Sequence, residues 1–257
     1  MVLRETRIME LVLMAFTGIV CSYALYIATK KEKPFGDMRP IVPMLHLEEA
    51  VGRAVEQGRP VCFTHSSGVL YDSGAPAVAA ALSILGKISE TCSKFDVPMR
   101  VFAKGPLTFQ VTQDVVREAF RSTGYPERYK EEYVHFGSFD YFAWYNSVIA
   151  YMLKYKPGAS FLFGTFAGAG LPMSETGARV AAMQIGGNHT FFALSCDYFT
   201  IGEELYASGA YCSGDSEQVA TIAAEDIVKI IAFIIIIVGV IAGYAGAAQP
   251  ILDFLAL

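Results

Sequence analysis

The chain has no CxxC pair, no G-x-S-x-G elbow, no H-E-x-x-H and no G-K-[ST]. These absences remove a zinc ribbon, the α/β-hydrolase nucleophile, the zincin site and the Walker loop. Histidine is scarce, with four in all (His46, His65, His135, His189), and tryptophan occurs once. Basic residues are outnumbered: Lys and Arg total 20 against 25 Asp and Glu, a net charge of −5 that offers no footprint for nucleic acid. The five cysteines are scattered, as expected of reduced thiols rather than a disulfide framework. Neither a metal nor a cofactor is expected.

Apolar residues are abundant. They make up 53% of the 257 residues, against 18% charged, and they concentrate in two runs, Met9 to Thr29 and Val228 to Ala248. Each is roughly 20 residues, the length expected of a membrane span. Arg4 and Arg7 ahead of the first run also suit a signal peptide, but it leads into "TKKEK" with no small-residue cleavage pattern, so retention is the reading. Lys30, Lys31, Lys33, Arg39 and Lys229 then flank the central region and predict a cytoplasmic domain between two spans of a cell-membrane protein. The expected organisation is a tail and first span over 1–29, a Pro-rich linker over 30–45, an α/β domain over 46–213, a helix continuing into the second span over 214–248, and a tail over 249–257.

Within the central region, "RPVCFTH", "VPMRVFA", "EYVHFG", "ASFLFGT" and "TFFALSC" are apolar runs of strand length at βαβ spacing. Helical patterns separate them over Gly74 to Phe95, Thr108 to Ser122, Phe139 to Tyr155 and Met173 to Ile185, and "HLEEAVGRAVEQG" forms a helix stopped at Gly58. The fold class expected is α/β, a doubly wound, mostly parallel five-stranded sheet between an N-terminal and a C-terminal transmembrane helix. Strand ends then collect His65, Ser66, Ser67, Thr165 and Asp197 at one sheet edge, where such folds bind ligands, with Glu175 at the start of the following helix. Serine, threonine and aspartate after strands also serve as helix caps, so the same residues have a structural reading. The loop "GTFAGAGLPMSE" breaks G-x-G-x-x-G at its third glycine and follows the fourth strand, which favours close packing over phosphate binding.

Three segments, "HLEEAVGRAVEQGRPVCFTHSSG", "FLFGTFAGAGLPMSETGA" and "SCDYFTIGEELYASGAY", resemble an uncharacterised prokaryotic membrane-protein family, a domain of unknown function. The resemblance implies a two-span-anchored α/β domain and brings no activity or catalytic residue.

The segment "FDYFAWYNSVIAYMLKY" is apolar nearly all round as a helix. Phe139, Phe142, Asn146 and Ile149 form one stripe; Tyr141, Trp144, Tyr145, Val148, Tyr151 and Tyr155 form another, read as core or as a subunit interface. Gly239 and Gly243, four apart, suit close helix contact between copies or within one chain. The function expected is a self-associating membrane scaffold, a homo-oligomer open to other membrane subunits; the alternative is a small-ligand-binding protein or enzyme acting at the strand-end crevice.

Overall fold

The computed structural model describes residues 8–31, 38–65, 67–166, 170–175, 180–183 and 189–244. The chain divides into two compact units, Arg39–Ser213 and the pair Met1–Met38 with Gly214–Leu257.

The first unit is an α/β sandwich. Its order is α2 (Val42–Leu45), α3 (Leu47–Glu56), β1 (Val61–Thr64), α4 (Ala75–Phe95), β2 (Met99–Lys104), α5 (Pro106–Ser122), β3 (Val134–Ser138), α6 (Tyr141–Tyr155), β4 (Ala159–Gly164), α7 (Gly170–Glu175), β5 (Val180–Met183), α8 (His189–Ser195), β6 (Tyr198–Ile201) and α9 (Glu204–Ser213). All strand pairs are parallel, in the order β3-β2-β1-β4-β5-β6. The sheet thus has six strands where five were expected. "TFFALSC" lies in α8 as far as Ser195, and β5 falls inside the stretch expected to be a helix from Met173 to Ile185.

The period-2 alternation of strands divides the core between the sheet's two faces. Cys62, Phe102 and Leu162 point one way and pack with Trp144, Val148 and Met152 of α6, Met173 of α7 and Phe192 of α8. Phe63, Phe161 and Phe163 form a ring cluster from the alternate positions. The turn into β1 shows how sequence sets the entry angle. Gly58 has φ +61°, its N–H reaches the Val55 carbonyl, and the Arg59 N–H reaches Ala54, the paired bonds of a Schellman motif. At α6 the Asp140 carboxylate accepts from the Ala143 N–H at 2.9 Å, capping the helix.

The second unit contains α1 (Ile8–Lys31) and α10 (Ser216–Tyr244), which meet through Ala24, Ala28, Ala220 and Ala224. α9 ends at Ser213 and α10 begins at Ser216, with Gly214 between them at φ +65°. Among the described residues no helix is long and apolar enough to cross a membrane. Apolar character in α1 is diluted by Thr17, Ser22 and Thr29, and the helix is bounded by Glu10 and by Lys30 and Lys31. α10 carries Glu225, Asp226 and Lys229, and from Ile230 to its end at Tyr244 it measures about 22 Å, against about 30 Å of hydrocarbon core. The second span read from sequence continues to Ala248, outside the described residues. The expected pair of transmembrane helices is therefore corrected, and with it the cell-membrane localisation and the cytoplasmic orientation inferred from flanking charge.

Candidate functional site

In this strand order the chain reverses its winding between β1 and β4, the position at which open α/β sheets place a ligand crevice. His65 is the first residue after β1 and is wholly buried. The Thr112 hydroxyl donates to the Thr108 carbonyl at 2.6 Å, so its oxygen is left to accept from His65 Nε2, 3.2 Å away. With that direction of the Thr112 bond the imidazole proton sits on Nε2. Nδ1 holds the lone pair and has no hydrogen-bond partner. Burial lowers the His65 pKa to about 4, with a smaller opposing contribution from its own backbone, so the ring is neutral at ordinary pH.

Ser66 lies outside the described residues. Ser67 bonds across the crevice: its N–H and its hydroxyl both donate to the Thr165 carbonyl, at 3.1 and 2.9 Å. The Ser67 carbonyl accepts from Lys104 Nζ at 3.0 Å, and that ammonium sits 5.8 Å from the centre of the Tyr141 ring. Asp72 shapes the rest of the loop by accepting from the Gly74 N–H at 2.7 Å. After β2, Gly105 adopts φ +78°, and a Cβ there would come 3.0 Å from the Tyr71 hydroxyl and from Val69 Cγ1. The structure therefore joins Ser67 to Thr165 between the two loops, while His65 bonds to Thr112 of α5 instead. Glu175 ends α7, and its side chain lies outside the described residues.

Asp197 belongs elsewhere. It precedes β6 rather than following a strand, which puts it at the amino-terminal edge of the parallel sheet, opposite the crevice. There it helps line a cavity of about 150 Å³ with Ala50, Arg53, Gln57 and Gly158. Arg53 Nη1 stands 3.6 Å from Asp197 Oδ2, while Nη2 is buried without a partner. A His65–Asp197 pair is excluded by this separation, so no triad forms from those residues. Among the described residues no group of three or more His, Cys, Asp and Glu is placed to hold a metal.

The aromatic stripe of α6 is also redistributed. Trp144 is wholly buried in the core, and Tyr141, Tyr145 and Tyr151 are half-buried against it. Trp144 is thereby removed from the candidate interface. Exposure falls instead on Phe139 and Phe142, from the stripe opposite, and on Tyr155 at the end of the Trp144 stripe. At Gly239 and Gly243 an added Cβ would meet nothing within 4 Å. Sequence reasoning overlooked Thr108, Thr112 and Arg53; the spacing of the two threonines, four apart on α5, was the available signal for a shared face.

No curated protein matches this sequence. A protein-family model does match, over residues 1–251, and it bears out the resemblance as far as a domain without assigned function; it supports neither the prokaryotic source nor the two anchoring spans that the resemblance implied. A match that runs through both compact units and leaves only the last few residues uncovered makes the chain a member of the family described as Domain of unknown function (DUF6754).

Proposed function

We propose that this protein is a self-associating assembly protein whose copies join through the apolar surface of α1 and α10. One observation carries the reading: Ile230, Phe233, Ile234, Ile235, Ile236, Ile237, Val238, Val240 and Ile241 are each between 42% and 63% exposed. Nearly consecutive helix positions point in all directions, so this part of α10 is apolar all round, and a helix of that kind needs cover. Together these side chains expose on the order of 800 Å², against about 300–600 Å² for the largest patch on a typical monomer. Equivalent helices of other copies are the occupant we favour, because a surface built from one apolar chemistry is complementary to itself. Open space at Gly239 and Gly243 gives a partner backbone room to approach.

Sedimentation of the full chain tests this, with Ile234→Ser/Ile237→Ser/Ile241→Ser as the variant along one helical stripe. The wild-type chain is expected to sediment as a multimer and the variant to shift toward the single-chain mass. A single-chain mass for the wild type overturns the reading, as does transfer of the chain from the multimer to phosphatidylcholine vesicles when these are added. A second reading, a small-ligand site where the winding reverses between β1 and β4, draws on the unpartnered Nδ1 of buried His65. Retention of a small molecule in native mass spectrometry by the wild type, and its loss in His65→Ala, is the outcome that reading requires.

A further inference from the structure

The two edges of the sheet are treated differently. At β6 the edge is shielded by the segment before α3, where the His46 ring stacks on Tyr198 with centroids 4.3 Å apart. β3, at the other edge, pairs with β2 alone among the described residues. Its sequence, VHFGS, carries none of the lysines or prolines that commonly blunt an open edge. Exposed apolar side chains gather beside it. Phe136 in the strand is 42% exposed, Phe139 just after it 63%, Phe142 in the first turn of α6 66%, and Leu107 at the start of α5 46%. Two of these rings are held in place by neighbours, Phe136 against Phe109 at 5.8 Å and Phe142 against Tyr141 at 5.4 Å. Phe136 and Phe142 therefore flank the strand on opposite faces of the sheet, the first on the side that α5 covers and the second on the side that α6 covers.

We propose that β3 pairs antiparallel with β3 of a second copy about a two-fold axis, joining two six-stranded sheets into one, with Phe136, Phe139 and Phe142 of each copy closing over the joint. This deepens the self-association proposed above and rests on it, but it uses the α/β unit rather than the helices. A two-fold axis is the symmetry by which one edge can pair with itself, and it makes the pairing antiparallel. The area is adequate. The four side chains expose roughly 400 Å² per copy, and with both strand edges the pair buries about 1,100 Å², near the lower bound of specific interfaces.

Disulfide trapping in the full chain tests the joint. Opposed residues of an antiparallel pair have Cα atoms about 4.5–5.5 Å apart, within reach of a disulfide. Val134→Cys, His135→Cys and Phe136→Cys cover the registers in which one of these residues faces its own copy, since residues opposed across the two-fold axis leave the same face of the sheet. Phe95→Cys, exposed at the end of α4, is the control. At least one of the three is expected to give tenfold more oxidised dimer than the control, and adding Phe139→Ser/Phe142→Ser is expected to abolish it while circular dichroism stays unchanged. Dimer no greater than the control in all three overturns the joint. If the wild-type chain still sediments as a multimer in that case, association through the helices stands; if it sediments as a single chain, both proposals fall.

Discussion

Nε2 of His65 lies 3.2 Å from Oγ1 of Thr112, joining the end of β1 to α5 in a place closed to water. The ring is held neutral there, its pKa lowered from 6.5 to about 4, mainly by burial. Between those two values the unfolded chain binds a proton that the folded chain does not, so stability rises with pH across the window. The contribution is complete above pH 6.5 and is lost as pH falls toward 4; a shift of this size corresponds to about 3 kcal/mol. Carboxylates titrate in the same range, so the quantity to measure is the difference between wild type and His65→Gln. Urea unfolding at pH 7.5 and pH 4.5 is expected to show the larger loss in the wild type. An equal pH dependence in the two proteins would mean that folding leaves the His65 pKa at its unfolded value.

Two glycines should respond in opposite directions to the same substitution. At Gly158, before β4, a Cβ would come 2.6 Å from Ala54 Cα and 2.9 Å from its Cβ, so α3 would have to move off the sheet. Gly52, inside α3, has nothing within 4 Å of the same position. Gly158→Ala is therefore expected to destabilise by about 1–3 kcal/mol through overpacking, and Gly52→Ala to stabilise by roughly 0.5–1 kcal/mol through helix propensity. Thermal unfolding of the two variants beside the wild type checks both signs.

The sheet's centre was legible because β1 and β4 are continuous apolar runs, VCFT and ASFLFG, and both are buried on every residue. α3 to α6 were readable from their apolar period and from Gly58. β5 and β6 were not. "VAAM" is short and alanine-rich, and alanine favours a helix in any local reading. "TFFALS" has the length of a buried strand, yet it is a helix that turns Phe192 inward and leaves Leu194 83% exposed. Periodicity cannot separate a short buried helix from a strand. That one exchange carried Asp197 to the wrong edge of the sheet. On α6 both apolar stripes were visible, but which one faced the core depended on distant partners: Trp144, Val148 and Met152 recur every fourth residue and meet Cys62, Phe102 and Leu162. No local rule contains that information.

The cysteines give a readout of the same core. Cys62 and Cys92 are wholly buried, and burial pushes both thiols up to about 12, with Arg100 acting weakly against the shift at Cys62. The thiolate is the reactive form, so both are doubly protected, by access and by protonation. Cys212 is also pushed up to about 12 by burial, and its thiol donates to the Met44 sulfur at 3.5 Å, although the residue is partly exposed. Iodoacetamide at pH 8 is expected to modify Cys21 and Cys196, both partly exposed, before the other three. Modification of Cys62 must await opening of the sheet, so its rate reports the free energy of that opening. Gly158→Ala, by loosening α3 from β4 beside β1, is then expected to raise the Cys62 rate about tenfold for each 1.4 kcal/mol of stability it removes, with the Cys196 rate little changed. Peptide mass spectrometry over a time course separates the sites. Labelling of Cys62 in the native chain as fast as Cys196 would show that β1 is open to reagent and that the sheet's centre is not closed.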